Sequence, residues 1–190
     1  MHSVTFILTL LAACNAAPAS KFSALDSGVE TTMEWRGPIT SDGADVTLTG
    51  TIQEVYKQVL ERNPNYLTDF PPAEGTSLVA RNRIWPVQCN PGGDFADVNR
   101  ISEGIRYLRD LSGGNARCGV NGRSCARISC SWDAGISLCN DRNDHIDPSC
   151  RYLADYAEAI VNDCTRVPNR VKGQQFDTDN YNVLVKHNPC

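Results

Sequence analysis

Apolar positions fall along the chain in three rhythms, and each rhythm implies a different element. The first is a continuous run, Val4 to Ala13, that ends in Cys14-Asn15-Ala16-Ala17. At roughly ten residues it is too short for a bilayer, which takes about twenty. It predicts the apolar stretch and small-residue cleavage site of a secretory signal peptide over residues 1–17. Leu11-Ala12-Ala13-Cys14 would also suit a bacterial lipobox, but no Lys or Arg precedes Lys21, which favours plain secretion. No later segment could serve as a membrane anchor.

The second rhythm is helical. Thr51-Ile52-Gln53-Glu54 has capping-box spacing, in which a Thr hydroxyl and a Glu carboxylate satisfy orphan N–H groups reciprocally. Ile52, Val55, Tyr56, Val59 and Leu60 then mark an amphipathic helix that stops before Asn63-Pro64. A second helix, introduced by Asp94 with Asp97 in its first turn, carries Val98, Ile101, Ile105, Leu108 and Leu111 and ends at Gly113-Gly114. A third opens at Asp147-Pro148 and runs to about Cys164, with Cys150, Leu153, Ala157, Ile160 and Cys164 on one face.

The third rhythm alternates, as in strands. Asp45 to Thr49, Arg127 to Trp132, Gly135 to Cys139 and Tyr181 to Val185 fit it, and Asn121-Gly122 signals a hairpin between the runs holding Cys118 and Cys125. From residue 86 the order is helix, strands, helix, strand. It predicts an α+β fold, an antiparallel sheet covered by two helices as an α/β sandwich.

Composition changes this picture in one respect. Of nine cysteines in 190 residues, Cys14 would leave with the signal peptide and the other eight lie between Cys89 and Cys190. The chain therefore divides into the signal over 1–17, a cysteine-free N-terminal segment over 18–85 and a disulfide-rich domain over 86–190. The middle segment, with one strand, one helix and the linker-like Pro64, Pro71, Pro72 and Gly75, is a propeptide or an appendage packed on the domain. Only Arg81-Asn82-Arg83 resembles a processing site and no dibasic pair is present, which leans towards retention. Eight cysteines after a secretion signal imply disulfides in an oxidising compartment. The formal charge of −4 gives no electrostatic drive towards a phosphate backbone, so nucleic acid is not an expected partner.

Eight cysteines allow 105 pairings. Cys150 and Cys164 sit about 21 Å apart along an intact helix and cannot bridge each other. Cys125 and Cys130, in one strand, are excluded likewise. A local Cys118–Cys125 bridge across the Asn121-Gly122 hairpin stays open on geometry alone.

Cys150-Arg151-Tyr152-Leu153 running to Cys164, and the ending Tyr181-Asn182-Val183-Leu184-Val185-Lys186-His187-Asn188-Pro189-Cys190, resemble the virally encoded killer toxin of smut fungi and the small secreted fungal proteins related to it. The resemblance covers the last hundred residues or so. Two half-cystines of the toxin, which bridge each other there, have no counterpart. Carried over by position, the resemblance implies Cys89–Cys164, Cys118–Cys150, Cys125–Cys139 and Cys130–Cys190, and so overrules the local hairpin bridge. It also implies an α/β sandwich and a toxin or effector type of protein. The toxin's channel block leans on a lysine two residues before the cysteine matching Cys130. Ile128 stands there, with Arg127 the nearest basic residue, which puts that mechanism in doubt here.

Candidate chemistry is sparse. His145 and His187 lie outside any His-x-x-x-His or Cys-x-x-Cys array, so no zinc site is expected. A histidine-based nuclease would pair one of them with a carboxylate such as Glu158, but nothing in the spacing fixes their geometry. Ser131 and Ser137 are not in a nucleophile elbow. Asn140 to Asp144 and Asp177 to Asn180 lack EF-hand spacing and read as solvated loops. Arg100, Arg106 and Arg109 read as a wet helix face. Among Trp35, Trp85 and Trp132, the last, next to Cys130 in an alternating strand, is expected in the core or half-buried.

The expectation is a secreted, extracellular, monomeric effector or virulence protein of a fungus. It would act without catalysis or cofactor on a host or competitor protein, inducing necrosis or suppressing immunity. The alternatives are a killer or antimicrobial toxin acting on membranes or channels, and a small extracellular histidine-dependent hydrolase or nuclease.

Overall fold

The structure, a computed structural model, describes residues 30–72 and 82–190. The signal-peptide reading of 1–17 and residues 73–81 lie outside these. The elements are β1 (Glu30–Thr31), β2 (Glu34–Gly37), β3 (Val46–Thr49), α1 (Ile52–Arg62), the single turn α2 (Tyr66–Asp69), β4 (Arg83–Gln88) and β5 (Ala96–Asp97). They continue with α3 (Val98–Asp110), β6 (Arg117–Gly119), β7 (Ser124–Ser131), β8 (Ala134–Asn140), α4 (Cys150–Cys164), β9 (Arg170–Val171), β10 (Gly173–Asp177) and β11 (Tyr181–His187).

Six strands form the main sheet in the order β1-β7-β8-β11-β10-β4, antiparallel except where β1 joins β7 in parallel. α3 packs on β7 and β8, and α4 on β10, β11 and β4, while the two helices touch each other. The protein is thus α+β, with a helical layer over the main sheet. Strand alternation sorts the side chains: Ala126, Ile128, Ile136, Leu138, Val183 and Val185 join the core beneath the helices. Cys125 and Cys139 form a separate buried cluster. Gly104 lets α3 approach the sheet closely, because a Cβ there would collide with the Ser129 hydroxyl of β7.

The cysteine-free segment is built into this fold. β2 pairs with β3 on one side and with β6 on the other, and α1 packs on α3 and β7. Trp35, fully buried, donates its indole N–H to the Leu111 carbonyl at 3.0 Å and meets Tyr66 edge to face. The capping box at α1 is complete: the Glu54 backbone N–H donates to the Thr51 hydroxyl and the Glu54 carboxylate accepts from the Thr51 N–H. Position 85, where the composition changes, falls inside β4.

Four disulfides are present: Cys89–Cys164, Cys118–Cys150, Cys125–Cys139 and Cys130–Cys190, with Cα separations of 5.0, 5.0, 4.0 and 5.7 Å. These are the pairs that the killer-toxin resemblance implies. Two of them fasten α4 at its first and last residues. Cys125 and Cys139 face each other directly in the β7–β8 register.

Four local readings are corrected. Asn121-Gly122 does not close a hairpin, because β6 and β7 belong to different sheets and the chain crosses between them there. Cys118 therefore never faces Cys125. The tight two-residue hairpin is instead Trp132-Asp133, both residues at positive φ as a type I′ turn requires. α3 is capped by Asp97, whose carboxylate accepts from the N–H groups of Asn99 and Arg100, and not by Asp94. α4 begins at Cys150 after Ser149, because the Pro148 carbonyl is taken by the Cys118 N–H of β6 at 2.9 Å.

Candidate functional site

The first turn of α4, the 141–149 loop and the β10–β11 turn enclose a cleft of about 540 Å³, a usual size for a small-molecule site. Tyrosines of α4 and β11 form its inner wall. Tyr152 is half-buried and Tyr181 is 6% exposed. Behind them Tyr156 meets Tyr152 edge to face at 4.9 Å and Tyr181 at 6.1 Å. The Tyr156 hydroxyl donates to the carboxylate of Asp177, which is 2% exposed at the end of β10. Burial raises the pKa of all three phenols, and the Asp177 charge adds to it, so they stay protonated through neutral pH.

One end of the cleft is basic. Arg117 of β6 donates to the Asp147 carbonyl at 3.3 Å, its one side-chain hydrogen bond among the described residues. His145 lies against Gly119, where a Cβ would come within 2.6 Å of Nε2, and its Nδ1 is 3.3 Å from Asn121 Oδ1. Gly119 is therefore the space that admits the imidazole. The Asp147 carboxylate on this rim is held at 2.8 Å by Arg36 of β2, so the cysteine-free segment reaches the site.

The opposite end is acidic and amide-lined. Asp179 accepts from Asn82 at 3.3 Å, and its backbone N–H donates to Asp177 at 2.7 Å. Asp155 is paired with Arg109 of α3 at 3.1 Å. Arg142 is chelated by Asp144 through contacts of 3.0 and 2.6 Å, and that guanidinium holds the Asp144 carboxyl below its usual range. Asp179 adds a weaker attraction on Arg142.

The structure separates the histidines. His145 lies at the cleft beside the Tyr181 end of β11, while His187 is the last residue of that strand, about 20 Å further at strand rise. Glu158 is gripped by Arg109 through contacts of 3.1 and 2.7 Å, which lower its pKa, on the side of α4 facing α3. Arg109 is thus a tie between helices rather than part of a wet face. Arg106 pairs with Asp110 and Arg100 with Glu103, as a solvated face would have it. The Ser131 hydroxyl donates to Glu103 and Ser137 is buried. The two acidic loops bond to each other, Asp141 N–H to the Asn180 carbonyl at 3.0 Å. Among the described residues, no group of three or more His, Cys, Asp or Glu is placed to hold a metal.

Trp132 is 79% exposed, which corrects its expected burial: it is a turn residue and not part of a strand. Its ring lies 5.3 Å from the Arg100 guanidinium, and the turn is tied down by the Cys130–Cys190 disulfide two residues before it. Ile128, where the resemblance would put a functional lysine, is fully buried.

Arg117, Tyr152, Asp155, Asp179 and Asn82 were not legible as site residues. They come from four separate stretches, with only Tyr152 and Asp155 sharing an element, α4, and no spacing rule links the four. Among the described residues no helix is long and apolar enough to cross a membrane. Four disulfides fit a chain that meets an oxidising, extracellular environment. No curated protein and no solved structure matches the chain. Residues 85–188, from within β4 to just past β11, match the family described as a domain of unknown function (DUF8794), and the chain belongs to that family.

Proposed function

We propose that this is a secreted effector or toxin-type protein that works by binding a host or competitor protein, without catalysis. The observation that carries this reading is Trp132. A large aromatic ring stands in solvent on a two-residue turn, stacked on Arg100 and fastened by Cys130–Cys190. Trp and Arg dominate the binding energy of protein interfaces, and a ring held in place before contact loses little entropy on docking. The killer-toxin-like cysteine spacing supports the same class. The burial of Ile128 argues for a surface other than the toxin's own channel-blocking position.

Two assays run together test it: infiltration of purified protein into plant tissue, and growth inhibition of fungi and bacteria. A tissue response abolished by Trp132→Ala, with the fold unchanged by circular dichroism, is the expected result. Growth inhibition without a tissue response would move the protein to the killer-toxin class. Hydrolase or nuclease activity lost on His145→Ala would overturn the non-enzymatic reading.

A further inference from the structure

We infer that the tyrosine-walled cleft at the start of α4 binds a sugar carrying a carboxylate, a uronate unit of an acidic saccharide. This site is separate from the Trp132 turn and does not depend on the docking role proposed for it.

The cleft has two unlike ends and a flat wall between them. At the basic end, Arg117 has its guanidinium bonded only to a main-chain carbonyl among the described residues, so its charge is uncompensated. His145 stands beside it, exposed, anchored through Nδ1 and Gly119. A carboxylate is the group that a guanidinium fork recognises. At the other end Asn82 and Asp179 form an amide–carboxylate pair at 3.3 Å. Such a pair presents a donor and an acceptor side by side, which suits vicinal hydroxyls. Between the ends, the half-buried ring of Tyr152 lines the cleft and adds apolar surface beside those polar groups. A pyranose has that combination of an apolar C–H face and a hydroxyl rim.

Charge arithmetic narrows the ligand further. Arg117, Arg142 and Arg151 line the cleft against Asp147, Asp155 and Asp179, three of each sign. A phosphate dianion would meet no net positive field. A monoanion with several hydroxyls needs only the one uncompensated guanidinium and uses the acids as acceptors.

The test is calorimetric titration of the disulfide-intact protein with trigalacturonate, with neutral maltotriose and with inorganic phosphate. Trigalacturonate should bind, and Arg117→Gln should weaken it about tenfold or more, in line with one charge-assisted contact. Asp179→Asn should weaken both saccharides. Maltotriose should bind more weakly and be indifferent to Arg117→Gln. Arg117 and Asp179 are both exposed, so neither variant threatens the fold, and near-ultraviolet circular dichroism verifies this. Failure of trigalacturonate to bind, an unchanged affinity in Arg117→Gln, or displacement by equimolar phosphate would each overturn the assignment. None of these outcomes bears on the Trp132 assay.

Discussion

The cysteine-free segment and the α4 layer meet the same demand by different physics. α4 is bolted to strands through Cys150 at its first residue and Cys164 at its last, and Arg109 binds its middle to α3. α1 and β2 have no covalent tie. They are held by the buried Trp35, Met33, Ile52, Val55, Val59 and Tyr66, by one indole hydrogen bond and by a complete capping box. Covalent staples act chiefly by restricting the unfolded chain, and burial by removing apolar surface from water. The ties of one half therefore depend on redox conditions and those of the other do not. They share a single core, since Cys118 lies opposite Trp35 in the β2–β6 register.

The sharpest way to break this comparison is Trp35→Ala. Removing a fully buried indole should cost about 4 kcal/mol in denaturant unfolding, and the loss should appear as one cooperative transition. Two separate transitions would show that the segments are independent. Replacing Cys89 and Cys164 together by Ala opens a loop of 75 residues and should cost about 3 kcal/mol. Reducing agent should erase the difference between that variant and the parent, while leaving the cost of Trp35→Ala in place.

Smaller effects sharpen the contrast. Thr51→Ala removes the α1 cap and should cost about 1 kcal/mol. Tyr66→Phe should act the other way. The Tyr66 hydroxyl is buried without a hydrogen-bond partner among the described residues, and burial pushes its pKa up to about 12. A raised pKa on a phenol means stability that is full below its usual value near 10 and is lost as pH rises towards the folded value. Tyr66→Phe should gain about 1 kcal/mol at neutral pH, and its stability should fall less steeply between about pH 10 and 12 than the parent's, the remaining decline coming from the raised phenols of Tyr152, Tyr156 and Tyr181. Glu158→Gln should have the smallest effect, under about 1 kcal/mol, since both partners are partly solvated. The Arg109 hydrogen bonds lower the Glu158 pKa, so this contribution is present above the ordinary glutamate value and fades as pH falls through the lowered one. Urea midpoints measured from pH 7 down to 3 should converge for parent and variant at the acid end.

Local signals were legible where one stretch of chain decides its own conformation. The α1 cap follows from four consecutive residues, and the helix from the apolar stripe Ile52 to Leu60 that comes with it. The apolar stripes of α3 and α4 are likewise complete in sequence, with Ile101, Ile105, Leu108, Leu153, Ala157 and Ile160 all buried. Signals failed where a distant partner decided. Asn121-Gly122 has hairpin chemistry, but the strands beside it are claimed by β2 and by β8. Trp132 alternates like a strand residue, yet Cys130, Ser131 and Ala134 pair so as to leave it at the turn. β10 carries Gln174, Gln175 and Asp177, all buried, and its polar sequence hides a central strand. Gln174 donates to Asn182 at 2.9 Å across the sheet, Gln175 donates its amide to the β4 carbonyl of Ile84, and Asp177 accepts from Tyr156 of α4.

The sequence by itself determined the helices, the α+β class, the uneven placement of cysteine and two forbidden bridges, because periodicity, capping and axial rise are local properties. Only the tertiary structure decided that the cysteine-free segment completes the core, that Trp132 meets solvent, and that Arg117, His145, Tyr152, Asp179 and Asn82 converge on one cleft. Convergence of that kind depends on strand order and on the two bolts of α4, which bring together residues up to 97 positions apart. No local spacing encodes such a distance.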